Sequence, residues 1–253
     1  MRRLVECMHR DGADRAAILA RLKEEIPFLQ HAAPFQMAFR GLVADDPNVT
    51  GRVLDIGCGP QLTGPMRWLE SVTHHLDGVD PIEEEVNRHP TLKLRWSGEF
   101  EKAPIPEGAY DLALAYNVIE HVAVARPFFE KLARVLRPGG TFWALSPNAN
   151  HPFAWMSRTL EVLGVKKIMA RNNPSNVNSY SAYYRLNCRR HINKAIRDLG
   201  FEEPRMHYFA RPGWALGYFP RGLQWAPELY DAAIADRIPP LRLLIVVQLK
   251  KLS

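Results

Sequence analysis

The chain has 253 residues, 47% hydrophobic and 24% charged, which is ample for one globular α/β core. Its net charge of +6 and pI of about 9.3 permit an anionic substrate, nucleic acid or a membrane surface, although a solvated basic face meets the same numbers. The three scattered cysteines (Cys7, Cys58, Cys188) suggest neither a disulfide framework nor a zinc cluster, and no leader peptide or bilayer-spanning run is visible, so a cytoplasmic location is expected.

Residues 13–44 carry Ile18, Leu22, Ile26 and Leu29 at helical spacing, then Phe35, Phe39 and Val43 after Pro34. We therefore expect a helical leader at 1–48 ahead of one domain at 49–253. Arg52–Ile56 is predicted as the first strand, and it runs into the turn Gly57-Cys58-Gly59-Pro60. Pro65–Ser71 suits a short helix, with Thr63 or Gly64 as cap. Leu76–Val79, Leu92–Trp96 and Tyr110–Tyr116 are predicted as strands two to four. Phe128, Phe129, Leu132, Val135 and Leu136 form one apolar helix face, closed by Pro138-Gly139-Gly140, and Thr141–Leu145 follows as strand five. Residues 149–183 form a long excursion with an apolar segment and a polar run, expected as a lid. Leu186–Leu199 reads as a helix ending at Gly200, with strands predicted at Pro204–Phe209 and Leu241–Leu249. The stretch 210–240 between them is rich in aromatics and suits a hydrophobic pocket, a dimer contact or a membrane-surface patch. Strands alternating with helices imply a parallel sheet whose ligands bind at the strands' carboxyl ends.

The turn after the first strand is the most informative stretch. Gly57 and Gly59 can adopt backbone angles closed to other residues and let a ligand touch the main chain. The third glycine of the dinucleotide fingerprint is missing, because Pro60-Gln61-Leu62 follows. Asp55, two residues before Gly57, suits a cationic ligand better than a pyrophosphate. Asp80 comes 25 residues after Asp55, near the ~20-residue offset of a ribose-binding carboxylate. Its two oxygens can accept from two vicinal hydroxyls.

From about Gly51 to Asn148 the chain resembles the class I S-adenosylmethionine (SAM) dependent methyltransferases, especially ubiquinone-type and other small-molecule enzymes. The resemblance implies a Rossmann-like doubly wound α/β sheet of seven strands, mostly parallel with one antiparallel strand, and insertions on the substrate side at 148–185 and 210–240. It implies SAM as cofactor, with Asp55, Gly57, Cys58 and Gly59 at the methionine part and Asp80 at the ribose. Gly98-Glu99-Phe100-Glu101 aligns with the family's Gly-Asp-Ala-Glu pattern, which places Glu99 and Phe100 near the adenine; Phe100 either stacks there or packs in the core. Cys58 suits packing better than a nucleophile's role. Asn117 is a further cofactor contact.

Asn117-Val118-Ile119-Glu120-His121 resembles the family's Glu-His segment. Asn117 stands where metal-binding members carry a first Glu, so no metal is expected. His121 is the catalytic candidate; it could act as a base, touch substrate or brace its loop. Tyr183, Tyr184 and Arg185 resemble the Tyr-Tyr-Arg run of some bacterial members and are substrate candidates, or a helix entry packed by aromatics. Asp111 reads as structural. The expected function is methyl transfer to a small or medium organic molecule, most simply at oxygen. Alternatives are an RNA or lipid-linked substrate, or SAM binding without transfer. A small-molecule partner is expected and nucleic acid is disfavoured, since no RNA-binding module is visible. Peripheral membrane contact and a homodimer stay open.

Overall fold

The computed structural model describes residues 34–62, 64–162, 181–211, 219, 222 and 224–253. The leader positions before Pro34, the cap at Thr63, the lid residues 163–180, Trp214, Tyr218 and Arg221 lie outside the described residues. The described elements are α1 (Pro34–Ala44), β1 (Arg52–Ile56), α2 (Leu69–Val72), β2 (His75–Asp80), α3 (Glu83–Arg88), β3 (Arg95–Ser97), β4 (Tyr110–Tyr116), α4 (Ala125–Val135), β5 (Leu136–Pro147), α5 (Pro152–Val162), α6 (Arg189–Ile196), β6 (Arg205–Phe209), α7 (Trp225–Tyr230) and β7 (Leu244–Lys250).

The strands form a seven-stranded sheet in the order β3-β2-β1-β4-β5-β7-β6. β1 pairs parallel with β2, and β2 with β3, while β6 and β7 are antiparallel. This is the doubly wound sheet with one antiparallel pair that the resemblance implies. Two units divide the chain. The first runs to Leu114 and includes Val135–Trp143; the second comprises Ala115–Arg134 and Ala144–Ser253.

In the first unit, Val53, Leu54 and Ile56 of β1 and Leu76 and Val79 of β2 are buried, as are Phe39 and Val43 of α1. Continuous apolar runs of this kind belong to strands covered on both faces. Asp77 interrupts β2, yet it is fully buried, because Arg52 donates to Oδ2 at 2.9 and 2.8 Å, Tyr110 Oη donates at 2.8 Å, and Leu94 N–H donates to Oδ1 at 2.9 Å. A buried carboxylate holds this position only when so fully paired. Asp111 is structural: Oδ2 accepts the Arg52 N–H, Oδ1 pairs with Arg137, and a Cβ at Gly51 would collide with its side chain.

Several boundaries differ from the sequence reading, strand seven among them, which starts at Leu244 rather than Leu241. The helix expected at Pro65–Ser71 is split into a 3-10 turn, Gly64–Met66, and α2. Strand three is Arg95–Ser97 rather than Leu92–Trp96, because Asp77 captures the Leu94 N–H. α4 ends at Val135, but Pro138-Gly139-Gly140 belongs to β5, which starts at Leu136. Gly139 takes φ 76° there, and Gly140 has backbone carbonyls within 2.9 to 3.2 Å of where a Cβ would stand. The last helix begins at Arg189, since Leu186–Cys188 are buried and not helical.

In the second unit β7 is buried from Leu244 to Val247, and its partner β6 is half-exposed at the sheet edge. Asn148 ties the end of β5 to the segment before β7: its amide donates to Pro240 O and Arg242 O, both at 2.8 Å, and its N–H to Leu243 O at 2.7 Å.

Candidate functional site

The first unit holds the glycine turn. Gly57 and Gly59 have φ of 71° and 56°, where an L side chain is strained. The N–H groups of Gly57 and Cys58 both donate to Val79 O, at 2.7 and 3.2 Å, which hangs the turn from the end of β2. Cys58 packs against Gly78, whose missing side chain makes the fit: a Cβ there would lie 2.8 Å from Cys58 Sγ and 2.6 Å from Leu92 Cδ1. Cys58 is 4% exposed, and burial, helped by nearby carboxylates, pushes its thiol far up; it is a packing residue rather than a nucleophile.

Three carboxylates surround this turn. Asp80, at the end of β2, accepts from the N–H of Gly59 at 3.0 Å and of Ile82 at 2.9 Å, one on each oxygen, so its orientation is fixed. Glu85 of α3 has an oxygen 3.8 Å from where a Gly59 Cβ would stand. Asp55 is 6% exposed and accepts no hydrogen bond among the described residues. Burial, and then the Asp80 charge, raise its pKa to about 7. A largely buried carboxylate without a protein donor is costly to ionise, and a cationic ligand would relieve it. A pyrophosphate would meet only repulsion from these three groups. The sequence reading missed Glu85; the acidic first turn of α3, Glu83 to Glu85, was the available signal. Of the other predicted cofactor contacts in this unit, Phe100 is buried, while Glu99 is exposed and pairs with Lys102 at 2.6 Å.

The second unit holds the Asn117–His121 segment. Asn117 follows β4 with φ 56°, a left-handed conformation that asparagine tolerates, and its N–H donates to Leu145 O at 2.8 Å. Glu120 is buried, and burial raises its pKa. Its side chain accepts from Ser146 Oγ at 2.6 Å, and Ser146 in turn accepts from Asn187 Nδ2 at 2.6 Å. The Glu120 carbonyl accepts from the N–H of Tyr183 at 2.7 Å and Tyr184 at 3.1 Å. The segment is thereby joined to 181–187. Tyr184, at φ 53°, is buried; Tyr183 and Arg185 face outward.

His121 Nδ1 lies 3.0 Å from Ser181 O. A carbonyl only accepts, so the neutral ring carries its proton on Nδ1, and Nε2 holds the basic lone pair. Ser146, at the end of strand five, is a residue the sequence places at the strands' carboxyl ends; Asn187 was not singled out, because its role depends on a pairing 41 residues apart.

The methyltransferase-domain family matches residues 54–144, from β1 into β5. A ubiquinone biosynthesis O-methyltransferase of Bradyrhizobium diazoefficiens is 29% identical over 126 residues, covering 47% of this chain and 47% of that protein. The sterol 24-C-methyltransferase erg-4 of Neurospora crassa is 27% identical over 111 residues, covering 38% and 29%. The chain spans less than half the length of these relatives. Among solved structures, a SAM-dependent methyltransferase from Mesorhizobium loti superposes with a TM-score of 0.53 at 16% identity, covering 85% of this chain and 98% of that one. The geranyl diphosphate C-methyltransferase of Streptomyces coelicolor A3(2) gives 0.53 at 13%, covering 86% and 77%. Residues 54–144 thus match the methyltransferase-domain family, and the fold is that of solved SAM-dependent methyltransferases.

Proposed function

We propose that this chain transfers the methyl of SAM to oxygen on a small or medium organic molecule, with His121 as general base. The ring of carboxylates around Gly57–Gly59, above all the unpaired Asp55, carries this reading. Asp55 would receive the ligand's ammonium, and Asp80 the ribose hydroxyls through the lone pairs not already given to Gly59 and Ile82. Glu99, Phe100 and Asn117 are the remaining proposed cofactor contacts.

SAM supplies a methyl group already activated by its sulfonium. The protein then has to position the acceptor, exclude water and take a proton. His121 Nε2 is the nitrogen equipped for that, since Ser181 fixes the proton on Nδ1. Tyr183 and Arg185 offer a hydroxyl and a cation to a phenolic, carboxylate or phosphate-bearing acceptor. The similar proteins are named for methyl transfer to oxygen and to carbon, and in either case the acceptor has to give up a proton.

The test is calorimetric titration of SAM, S-adenosylhomocysteine and NAD, with Asp80→Asn alongside. The two adenosyl ligands should bind and NAD should not, and the variant should lose about ten- to a hundredfold in affinity. Binding of NAD in preference, or a variant indistinguishable from the parent, would sink the reading.

A further inference from the structure

Three arginines in the second unit gather around one histidine. The ring of His191, in the first turn of α6, is hydrogen-bonded to Tyr184 O, which closes the 184–191 stretch on itself. Desolvation lowers the His191 pKa, the bond to Tyr184 opposes this, and the charges of Arg190, Arg158 and Arg185 lower it further. Arg158 comes from α5, Arg185 from the stretch before α6, and Arg190 from α6 itself. Two helices and a connecting stretch thus bring three guanidiniums within range of one ring, and all three are exposed. Exposed arginines elsewhere hold a carboxylate: Arg88 pairs with Glu84 at 3.2 Å, and Arg126 with Glu130 at 2.7 Å. Among the described residues, Arg158, Arg185 and Arg190 pair with none.

The number of donors selects the ligand. Like charges gathered without an acid cost little in water, but an anion among them gains from all three. A guanidinium presents five N–H groups in a planar fork, and three such forks exceed what the two oxygens of a carboxylate accept. A phosphate group, with three strong acceptor oxygens, matches them. Position makes this the phosphate of a substrate. Arg185 directly follows Tyr183 and Tyr184, whose N–H groups bond the Glu120 carbonyl at 2.7 and 3.1 Å, and Glu120 precedes His121. Ser181 O, from the same stretch, meets the His121 ring at 3.0 Å. The arginine cluster and the proposed base are therefore built on one hydrogen-bonded segment.

We propose that Arg158, Arg185 and Arg190 together hold a phosphate group carried by the methyl acceptor. This rests on the reading of His121 as the base for that acceptor, and it narrows the acceptor to phosphate-bearing molecules. The experiment is calorimetric titration of inorganic pyrophosphate into the full chain at fixed ionic strength, with acetate as the comparison anion. Two double variants run alongside. Arg158→Gln, Arg190→Gln takes two cations from the cluster, and Lys194→Gln, Arg197→Gln takes the same charge from the far end of α6. The parent should bind pyrophosphate and not acetate; the first variant should lose about tenfold or more in affinity, and the second less than about twofold. No binding by the parent overturns the proposal. So do equal losses in the two variants, which would assign the binding to net charge. A single-stranded RNA oligonucleotide that binds more tightly than pyrophosphate and displaces it also overturns the proposal, by assigning the cluster to a polyanion. SAM titration of the same samples reports folding and keeps the two readings apart. A chain that binds SAM but not pyrophosphate refutes this assignment alone. A chain that binds pyrophosphate but not SAM refutes the methyl-transfer reading and, with it, the acceptor role.

Discussion

Asp55 allows a quantitative test of the cofactor reading through pH. Burial, with the Asp80 charge behind it, lifts its pKa from 3.8 to about 7. A carboxylate that receives an ammonium group must be ionised in the complex, so binding below neutrality releases a proton. About 1% of the free protein carries the ionised group at pH 5 and about half at pH 7, so SAM affinity should rise about fiftyfold over that interval. The ligand's amino group stays protonated throughout it, which isolates the carboxylate. The same shift has a cost in the free protein. A raised folded-state pKa means that the unfolded chain ionises first, so stability falls as pH climbs from about 4 to about 7, and the loss approaches about 4 kcal/mol above that range. Asp55→Asn should therefore raise the melting temperature of the free protein at pH 8, weaken SAM binding at pH 7, and flatten the pH dependence of binding. Calorimetry in two buffers of different ionisation enthalpy counts the released proton, and thermal melts at pH 5 and pH 8 read the stability. A SAM affinity that is flat from pH 5 to pH 7, or an Asn variant that binds as tightly as the parent, would refute the argument and make Asp55 a structural carboxylate.

Three further outcomes follow from the geometry. Gly78→Ala inserts a methyl 2.8 Å from Cys58 Sγ and should destabilise by about 1–3 kcal/mol, with Cys58→Ala in the same chain restoring part of that loss in a denaturant double-mutant cycle. Ser146→Ala strips the buried Glu120 and Asn187 of their shared partner and should cost about 1–3 kcal/mol, whereas Glu120→Gln, which keeps an acceptor for the Ser146 hydroxyl and removes a desolvated charge, should be at least as stable as the parent at pH 8 by thermal melt. His121→Gln should leave SAM affinity within about twofold yet slow transfer to an oxygen acceptor by about a hundredfold or more, measured as S-adenosylhomocysteine formed; an unaffected rate would point to an acceptor that needs no base.

Elements with a continuous apolar run and a sharp stop were legible to the residue. β1 ends where Gly57 begins the turn, and β4 ends where Asn117 turns left-handed. Elements decided by partners far along the chain were not. Leu92–Trp96 alternates as a strand should, but the Asp77 side chain takes the Leu94 N–H, and nothing near Leu94 announces this. Pro138-Gly139-Gly140 correctly stops a helix, yet the same residues open β5, because Asn48 donates to Gly139 O at 3.1 Å and the sheet continues through them. α3 was overlooked because Val86 is its single buried residue, which leaves no apolar period to find.

The contrast between Asp55 and Asp77 shows why the glycine turn stands out in the sequence. Both are buried carboxylates on neighbouring strands, and in the β1–β2 register Asp77 stands opposite Leu54, one residue before Asp55. Asp77 is saturated by Arg52, Tyr110 and Leu94; it serves the fold, and only the fold reveals its partners. Asp55 has none of these, although Arg52 lies on its own strand. An unpaired carboxylate in this position is costly to the fold, since burial and the Asp80 charge raise its pKa to about 7. On the proposed reading its partner is the ligand's ammonium, and its signature is local: one strand, one turn, one acid. The acceptor side has no such compactness. Glu120, Ser146 and Asn187 come from three separated segments, and their hydrogen bonds exist only after the chain has closed.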